Sequence, residues 1–342
     1  MKKIIVTGGS GFIGSNFIKK CIKKKYIILN IDKITYAGNL SNTKEFSQNK
    51  NYSFLKKDIT SPHLKKDILK FEPDAIVHFA AESHVDRSIE CSNIFLKTNI
   101  FGTFNLLEIV RSYTKKKIRF VHISTDEVYG DLGINKKKFT TNTKFDPSSP
   151  YSASKASADH LVSSWNRTYG LDTLIINCSN NYGPRQFPEK LIPHSILSLL
   201  KNKPIPIYGK GKQVRDWIFV EDHCDAIEQV LNRGVTGKTY LIGGNNEISN
   251  INLIKKIIQK YFKIAKNKKH YSLKDCIEFV KDRPGHDIRY SVDTSYISKQ
   301  LKWNPSTNLD QGLDKTIKWY INNLNWFKNI IDKKKYKIRR IG

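Results

Sequence analysis

Short, continuously apolar runs alternate with amphipathic stretches along the first half of the chain: KIIVTG at the start, YIILNID over 26–32, DAIVHFAA over 74–81, IRFVHIS over 118–124 and DTLIINCS over 172–179. Runs of this length suit strands buried on both faces, and the stretches between them carry the helical period, with the first helix expected from Gly14. Strand, helix and strand in repetition predict an α/β fold built on a Rossmann-type, doubly wound parallel sheet. No internal repeat of solenoid period interrupts the pattern. Beyond about residue 182 the rhythm becomes irregular, with the proline-bearing loops GPRQFPEK, KPIPIYG and DRPGHD separating shorter helices. That change predicts a smaller, mixed α/β substrate domain toward the C-terminus, because such loops often carry ligand contacts. The stretch RDWIFVEDHCDAIEQVL over 215–231 returns to strand and helix. The first domain is therefore expected over 1–181 and about 214–247, the second over about 182–213 and 248–330, and a basic tail over 331–342.

With 342 residues the chain is long enough for two domains. Its 59 Lys and Arg against 31 Asp and Glu give a formal charge of +28, which favours polyanions in general. The lysines are spread through runs such as KKCIKKK with no aromatic-interleaved basic motif, so they read as solvated faces and no nucleic-acid partner is expected. The tail KKKYKIRRIG is the one segment whose charge density suits anion contact. Five cysteines, Cys21, Cys91, Cys178, Cys224 and Cys276, are odd in number, widely spaced and never in C-x-x-C, which predicts reduced thiols and neither a disulfide framework nor a metal site. No run approaches the length of a membrane span, and the apolar start is broken by glycines, so a cytoplasmic protein without membrane attachment is expected.

Chemistry enters with TGGSGFIG. Gly8, Gly11 and Gly14 follow the first strand and open the first helix, the arrangement in which glycines admit a tight turn, a close approach to pyrophosphate and close helix packing. Phosphate then sits at the helix N-terminus. A second strand ends at Asp32, whose carboxylate can accept from both ribose hydroxyls and would repel a 2′-phosphate, so NAD is expected over NADP, a preference softened by Lys33. Further on, Tyr151 and Lys155 stand four apart, on one face of a helix. An ordinary phenol ionises near pH ~10, too high for a base at neutrality. A neighbouring ammonium and a nicotinamide cation both favour the phenolate, which makes Tyr151 a candidate base toward a sugar hydroxyl.

STDEVYG over 124–130 poses a different problem: a core strand running into two adjacent carboxylates, Asp126 and Glu127. Successive residues of a strand point to opposite faces. Both carboxylates can reach one ligand only if strand geometry ends at about Thr125, and that is the expectation here. Close together and shielded from water, the two would titrate as a coupled unit with raised values, and the sequence leaves open which holds the proton.

Taken with HFAAESHVDRS, DKITYAGN, YSASKASAD, NCSNNYGPRQFPEKLIP, PIYGKGKQVRDWIFVEDH and DRPGHD, these motifs cover nearly the whole chain, and the sequence resembles the extended short-chain dehydrogenase/reductase family, most closely its dTDP-glucose 4,6-dehydratases. The resemblance implies an NAD-dependent lyase that oxidises C4 of dTDP-glucose, eliminates water across C5 and C6, and returns the hydride to C6, giving dTDP-4-keto-6-deoxyglucose for rhamnose or another deoxysugar. It implies Tyr151 with Lys155 as the oxidising base, Glu127 as the base at C5, Asp126 as the acid at the C6 hydroxyl, and Thr125 at the 4-oxygen. It places Gly8, Gly11, Phe12, Ile13, Gly14, Asp32, Lys33, Thr35, Ala37, Gly38, Asp58, Ile59, Ala80, Ala81, Thr98, Tyr151, Lys155 and Asn181 against the cofactor. Against the substrate it places Ser83, Thr125, Asn180, Lys190, Leu191, Pro206, Ile207, Tyr208, Arg215, Asn250, Asp282, Arg283, Pro284, Gly285 and His286, with Lys190 and Arg215 as partners of the diphosphate and Arg able to bind it bidentately. His84 and Asp86 are candidates for orienting the site. A homodimer through a four-helix interface that includes the YxxxK helix is also implied. The alternatives are a 4,6-dehydratase, epimerase or decarboxylase acting on another nucleotide sugar, such as a UDP-hexose, and, in a different class, an NAD-binding, nucleic-acid-associated scaffold without turnover. The acidic pair argues against an epimerase. A scaffold would leave Asp126, Glu127, Tyr151 and Lys155 without a purpose.

Overall fold

A computed structural model describes residues 2–265 and 272–331. Nearly all of the expected tail lies outside the described residues. The strands, in chain order, are β1 (Lys3–Thr7), β2 (Ile27–Asp32), β3 (Tyr52–Lys56), β4 (Ala75–His78), β5 (Arg119–Thr125), β6 (Thr173–Cys178), β7 (Asn180–Tyr182), β8 (Ile205–Tyr208), β9 (Val214–Phe219), β10 (Thr239–Ile242), β11 (Glu247–Ser249) and β12 (Ile277–Val280). The helices are α1 (Phe12–Lys23), α2 (Leu64–Phe71), α3 (Val85–Glu90), α4 (Ser92–Phe95), α5 (Gly102–Arg111), α6 (Pro150–Tyr169), α7 (Leu191–Leu200), α8 (Val220–Arg233), α9 (Asn250–Ile264), α10 (Ser295–Leu301), α11 (Leu309–Asn322) and α12 (Leu324–Ile331).

Seven strands form one parallel sheet in the order β10-β6-β5-β4-β1-β2-β3. The apolar runs are continuous because both faces are covered. One face packs Phe17, Ile18, Ile227 and Val230 of α1 and α8, and the other packs Ile68, Leu106, Leu107 and Val162 of α2, α5 and α6. The winding reverses between β1 and β4, and the crevice beyond the carboxyl ends of the strands at such a reversal is where ligands bind in open α/β sheets. A second apolar core joins Ile192, Ile196, Leu253, Ile257, Leu313, Ile317 and Tyr320 of α7, α9 and α11 with Trp217 and Phe219 of β9. Beside it lie a three-stranded sheet, β11-β9-β7, and the pair β12-β8. The run RDWIFVEDHCDAIEQVL is thus divided: α8 covers the main sheet, whereas β9 pairs with β7 and β11.

Four local features position the site. α1 begins at Phe12, two residues before the expected start, because Gly11 takes the extended N-cap conformation and its missing side chain leaves the helix amides uncapped. β5 ends at Thr125 and turns at once into a 3-10 segment over Asp126–Tyr129, with the Thr125 hydroxyl accepting from the Glu127 amide at 3.3 Å. α6 has a strong start and stop: Pro150 in its first turn, a reciprocal Ser149–Ser152 capping box, and Gly170 in the left-handed conformation beyond its end. Between α4 and α5 the chain forms a π-helical segment, Leu96–Phe101, the kind of local widening frequent at functional sites. It buries Thr98 and Asn99 side by side.

Candidate active site

The crevice above β1 and β4 is a cleft with about 1530 Å³ of empty space open to solvent, more than one small ligand requires. Every expected cofactor position except Asp58 lines it. Asp58 stands back, ion-paired to Lys33 at 3.5 Å and accepting from the Thr60 amide at 2.9 Å.

The residues fit a dinucleotide. A Cβ at Gly8, whose φ is +71°, would lie 2.6 Å from the Ala80 amide nitrogen, and one at Gly14 would lie 2.5 Å from the Gly8 carbonyl oxygen. The turn is therefore packed as tightly as backbone allows, with the uncapped start of α1 facing the cleft. Asp32 is buried, and each oxygen accepts one backbone amide, Ser10 at 3.0 Å and Ile34 at 2.8 Å, which leaves acceptor capacity for a diol. Lys33, which could have balanced a 2′-phosphate, is engaged with Asp58 and with Thr98 at 3.4 Å.

At the other end of the cleft stand Thr125, Asp126, Glu127, Tyr151 and Lys155, with Ser83, Asn180 and Lys190 opposite. The 3-10 turn gives the two carboxylates different surroundings. Asp126 is buried, with one oxygen lacking a hydrogen-bond partner. Burial raises its pKa well above the usual carboxyl range, and the charges of Glu127 and Asp216 push the same way. Asp216 is itself fixed by the amides of Asn246 at 2.6 Å and Gly244 at 2.9 Å. Glu127 is half-buried. Burial raises its pKa too, but Arg283, Lys190 and Arg215 oppose that rise. Like charge from Asp216 thus adds to burial at Asp126, whereas three cations face Glu127.

Tyr151 and Lys155 share the buried face of α6, but the ammonium does not turn to the phenol. Lys155 Nζ donates to the Ile123 carbonyl at 2.8 Å and contacts His122 Nε2 at 3.2 Å. Burial, reinforced by Glu127, holds the Tyr151 phenol well above its ordinary value, and a hydrogen bond with Thr125 opposes that shift. The expected pairing of Lys155 with the phenol is thus not made in this geometry.

The remaining expected substrate positions lie outside the main cleft. Ile207 is 2% exposed and belongs to the second core, with Leu191 packed against that core. Pro206 sits in β8 and Asn250 opens α9. The Tyr208 hydroxyl donates to Asp86 at 2.7 Å, Arg283 pairs with the other Asp86 oxygen at 3.2 Å, and Gln213 bridges Asp282 and His286 at 2.9 and 3.1 Å. Asp86 thus ties α3 to β8 and to the loop of Asp282, Arg283, Pro284, Gly285 and His286. His84 Nε2 lies 4.0 Å from Glu189. Arg215, expected at the diphosphate, is largely engaged by backbone. Its Nη1 donates to the Val214 and Ile288 carbonyls, its Nη2 to that of Asp287, and its guanidinium covers the Tyr290 ring at 4.2 Å. Only Nε and one Nη2 hydrogen remain without a partner in this set of bonds.

Sequence reasoning missed several groups. Glu82, Gln186, Phe187 and Glu189 line the cleft. Asn99, placed inward by the π segment, accepts from the Glu82 amide at 2.9 Å and donates to the Ser154 hydroxyl at 2.9 Å, tying the floor of the cleft to α6. A polar residue inside an apolar helical stretch was the available signal, but the π turn that aims it inward has no sequence signature.

The fold and site together define a dinucleotide-dependent enzyme of the short-chain dehydrogenase/reductase type that acts on nucleotide sugars. The family model described as GDP-mannose 4,6 dehydratase matches residues 5–316, and the chain belongs to that family, with curated relatives that are dTDP-glucose 4,6-dehydratases. The relative from Neisseria meningitidis serogroup B is 50% identical over 100% of this chain and 99% of its own length. One from Escherichia coli is 49% identical over 96% of this chain and 95% of its own length. The crystal structure of the dTDP-glucose 4,6-dehydratase from Bacillus anthracis in complex with NAD is 42% identical, covers 96% of this chain and 100% of its own, and superposes with a TM-score of 0.86.

Proposed function

We propose that this chain dehydrates dTDP-glucose to dTDP-4-keto-6-deoxyglucose, a precursor of rhamnose or another deoxysugar, with NAD as its internally recycled cofactor. The carrying observation is the pair Asp126 and Glu127 on one turn in different surroundings, Asp126 buried beside Asp216 and Glu127 faced by Arg283, Lys190 and Arg215, next to Tyr151 and Thr125. Bound NAD supplies the oxidant at C4 and later the reductant at C6. Tyr151 takes the proton of the C4 hydroxyl, and Thr125 binds the 4-oxygen. The C5 hydrogen is acidified by the adjacent ketone; Glu127 removes it as a proton and gives it back to C5 when hydride reaches C6. Asp126 protonates the C6 hydroxyl as it leaves. The need for two opposite proton transfers on neighbouring carbons is met by adjacent residues only because the strand ends at Thr125.

We assign the cofactor to the lobe formed by residues 1–181 and about 214–247, and the nucleotide end of the sugar to the lobe of 182–213 and 248–330. The two apolar cores support that division in outline, with Trp217 and Phe219 of β9 packing in the second core and Ile297, Leu301 and Trp303 returning to the first. A homodimer is supported by apolar side chains exposed along α3 to α5, namely Ile89, Ile94, Leu96, Phe101 and Phe104. A cytoplasmic location is supported by the free cysteines, while no helix among the described residues is long and apolar enough to cross a membrane.

The test is mass spectrometry of dTDP-glucose and UDP-glucose after incubation with the purified protein and its Glu127→Gln variant. Loss of one water from dTDP-glucose with wild type, slowed by about 10²-fold or more in the variant, is the expected result. Preferential dehydration of UDP-glucose would move the reading to another nucleotide sugar, and turnover unaffected by Glu127→Gln would overturn the role of that residue.

A further inference from the structure

Lys155 occupies a place that is hard to account for by the helix alone. It is 3% exposed, and an ammonium in such a site is costly unless a counter-charge faces it. The titratable groups around it come from four elements: His78 on β4, His122 on β5, Cys178 on β6, and Tyr151 and Asp159 on its own helix. Burial drives both imidazoles well below their ordinary value, so they are neutral, and it pushes the Cys178 thiol up to about 12. Tyr151 is a phenol. Asp159, one further turn along α6, is the remaining source of negative charge among these groups.

Asp159 is held for that task. One oxygen, Oδ2, accepts from Ser124 Oγ at 2.9 Å and from Asn177 Nδ2 at 2.9 Å. The other, Oδ1, is buried without a hydrogen-bond partner and lies 3.3 Å from His122 Nε2, the same nitrogen that Lys155 Nζ contacts at 3.2 Å. Asn177 also donates to the Thr125 carbonyl at 3.1 Å, so the cluster is fixed to the strand end that carries the acid and base.

We infer that Asp159, whose Oδ1 faces the same His122 nitrogen that Lys155 contacts, is a positioning residue whose charge keeps Lys155 an ammonium inside the sheet and poised to pair with the Tyr151 phenolate when substrate is oxidised. The product keeps the ketone at C4, so the hydroxyl proton taken by Tyr151 does not return to the sugar: it makes good the one that Asp126 gives to the leaving water, and the protein's proton count is restored each turn. Asp159 makes no contact with substrate and is not itself catalytic. The inference rests on the dehydratase reading for its consequence in turnover, but not for the charge relation itself.

The first measurement is therefore independent of activity: a pH titration of lysine Cε resonances in ¹³C-lysine-labelled protein, with Lys155→Met identifying the signal. Lys155 is expected to titrate near 8, far below surface lysines, and to register the protonation of Asp159 near 6. In Asp159→Asn, which retains the shape and an acceptor for Ser124 and Asn177, the Lys155 titration should move down by about one pH unit or more, and Asp159→Glu should restore it in part. The second measurement is the pH profile of kcat for water loss. The alkaline limb should move to lower pH in Asp159→Asn, since Lys155 loses its proton earlier, and a limb displaced by about one pH unit lowers kcat at the alkaline end about tenfold. An unmoved Lys155 signal overturns the inference, as does a kcat that falls equally at every pH. Should Asp159→Asn fail to fold, the wild-type titration decides: a Lys155 signal blind to the step near 6 overturns the inference. Absence of any dehydratase activity in wild type would sink the functional reading while the NMR result still judged this one.

Discussion

Asp126 is 1% exposed, and its neighbours Glu127 and Asp216 add to burial in disfavouring its charge. An acid whose pKa is higher folded than unfolded stabilises the fold while protonated. That contribution is complete below the unfolded value of about 3.9 and is lost progressively as pH rises through the folded value. Asp126→Asn is neutral at every pH. Its melting temperature relative to wild type should therefore rise as pH increases from about 4 to about 8, while water loss from the substrate slows by about 10²-fold or more. Melting curves across that range, paired with product analysis, check both halves. A stability difference independent of pH would mean that Asp126 carries no raised pKa. The types and spacing of Asp126, Glu127, Tyr151 and Lys155 were legible in the sequence. Which carboxyl holds the proton was not, because that depends on Arg283, Lys190, Arg215 and Asp216, all distant in the chain.

β1, its turn and α1 form the element proposed to hold the cofactor, and its tight turn was the easiest part of the candidate site to read, because glycine spacing reports backbone proximity directly. Gly14 is the position with least tolerance: an added Cβ would sit 2.5 Å from the Gly8 carbonyl oxygen and 2.8 Å from the Gly9 Cα. Both neighbours are backbone and can move only by opening the turn. Gly14→Ala should cost about 1–3 kcal/mol, measured by urea unfolding, and should weaken NAD binding measured by fluorescence titration. Unchanged affinity would mean that the turn does not set the phosphate site. Less legible was the π segment Leu96–Phe101. Its apolar and polar residues suit an ordinary helix, and only packing against Ser154 and the Glu82 backbone shows why Asn99 points inward.

At the scale of the whole molecule, Phe101 at 63% exposure heads a row of apolar side chains on α3 to α5 that one chain leaves uncovered. Phe101→Asp should convert the proposed homodimer to monomer in sedimentation velocity at micromolar concentration, because a charge at the centre of an apolar contact is buried unpaired. A wild type that sediments as a monomer would remove the dimer from the picture. Lysines such as Lys20, Lys116 and Lys260 pair with acids that are remote in sequence, Asp225, Asp74 and Asp314, but such pairs leave the excess of positive charge untouched.

Fold class, the glycine turn and the end of β5 at Thr125 could be read from the chain alone, because each is a local property: period, glycine spacing, or residue type at a strand end; the roles given to the acidic pair came from the family resemblance. What those residues face was settled in three dimensions. Folding set the Arg215 guanidinium among backbone carbonyls, gave Asp86 to Tyr208 and Arg283, and turned Lys155 toward His122 and Asp159 instead of Tyr151. The reason is physical: burial and counter-charge fix a side chain's partners and its proton, and both are sums over neighbours that chain order does not bring together.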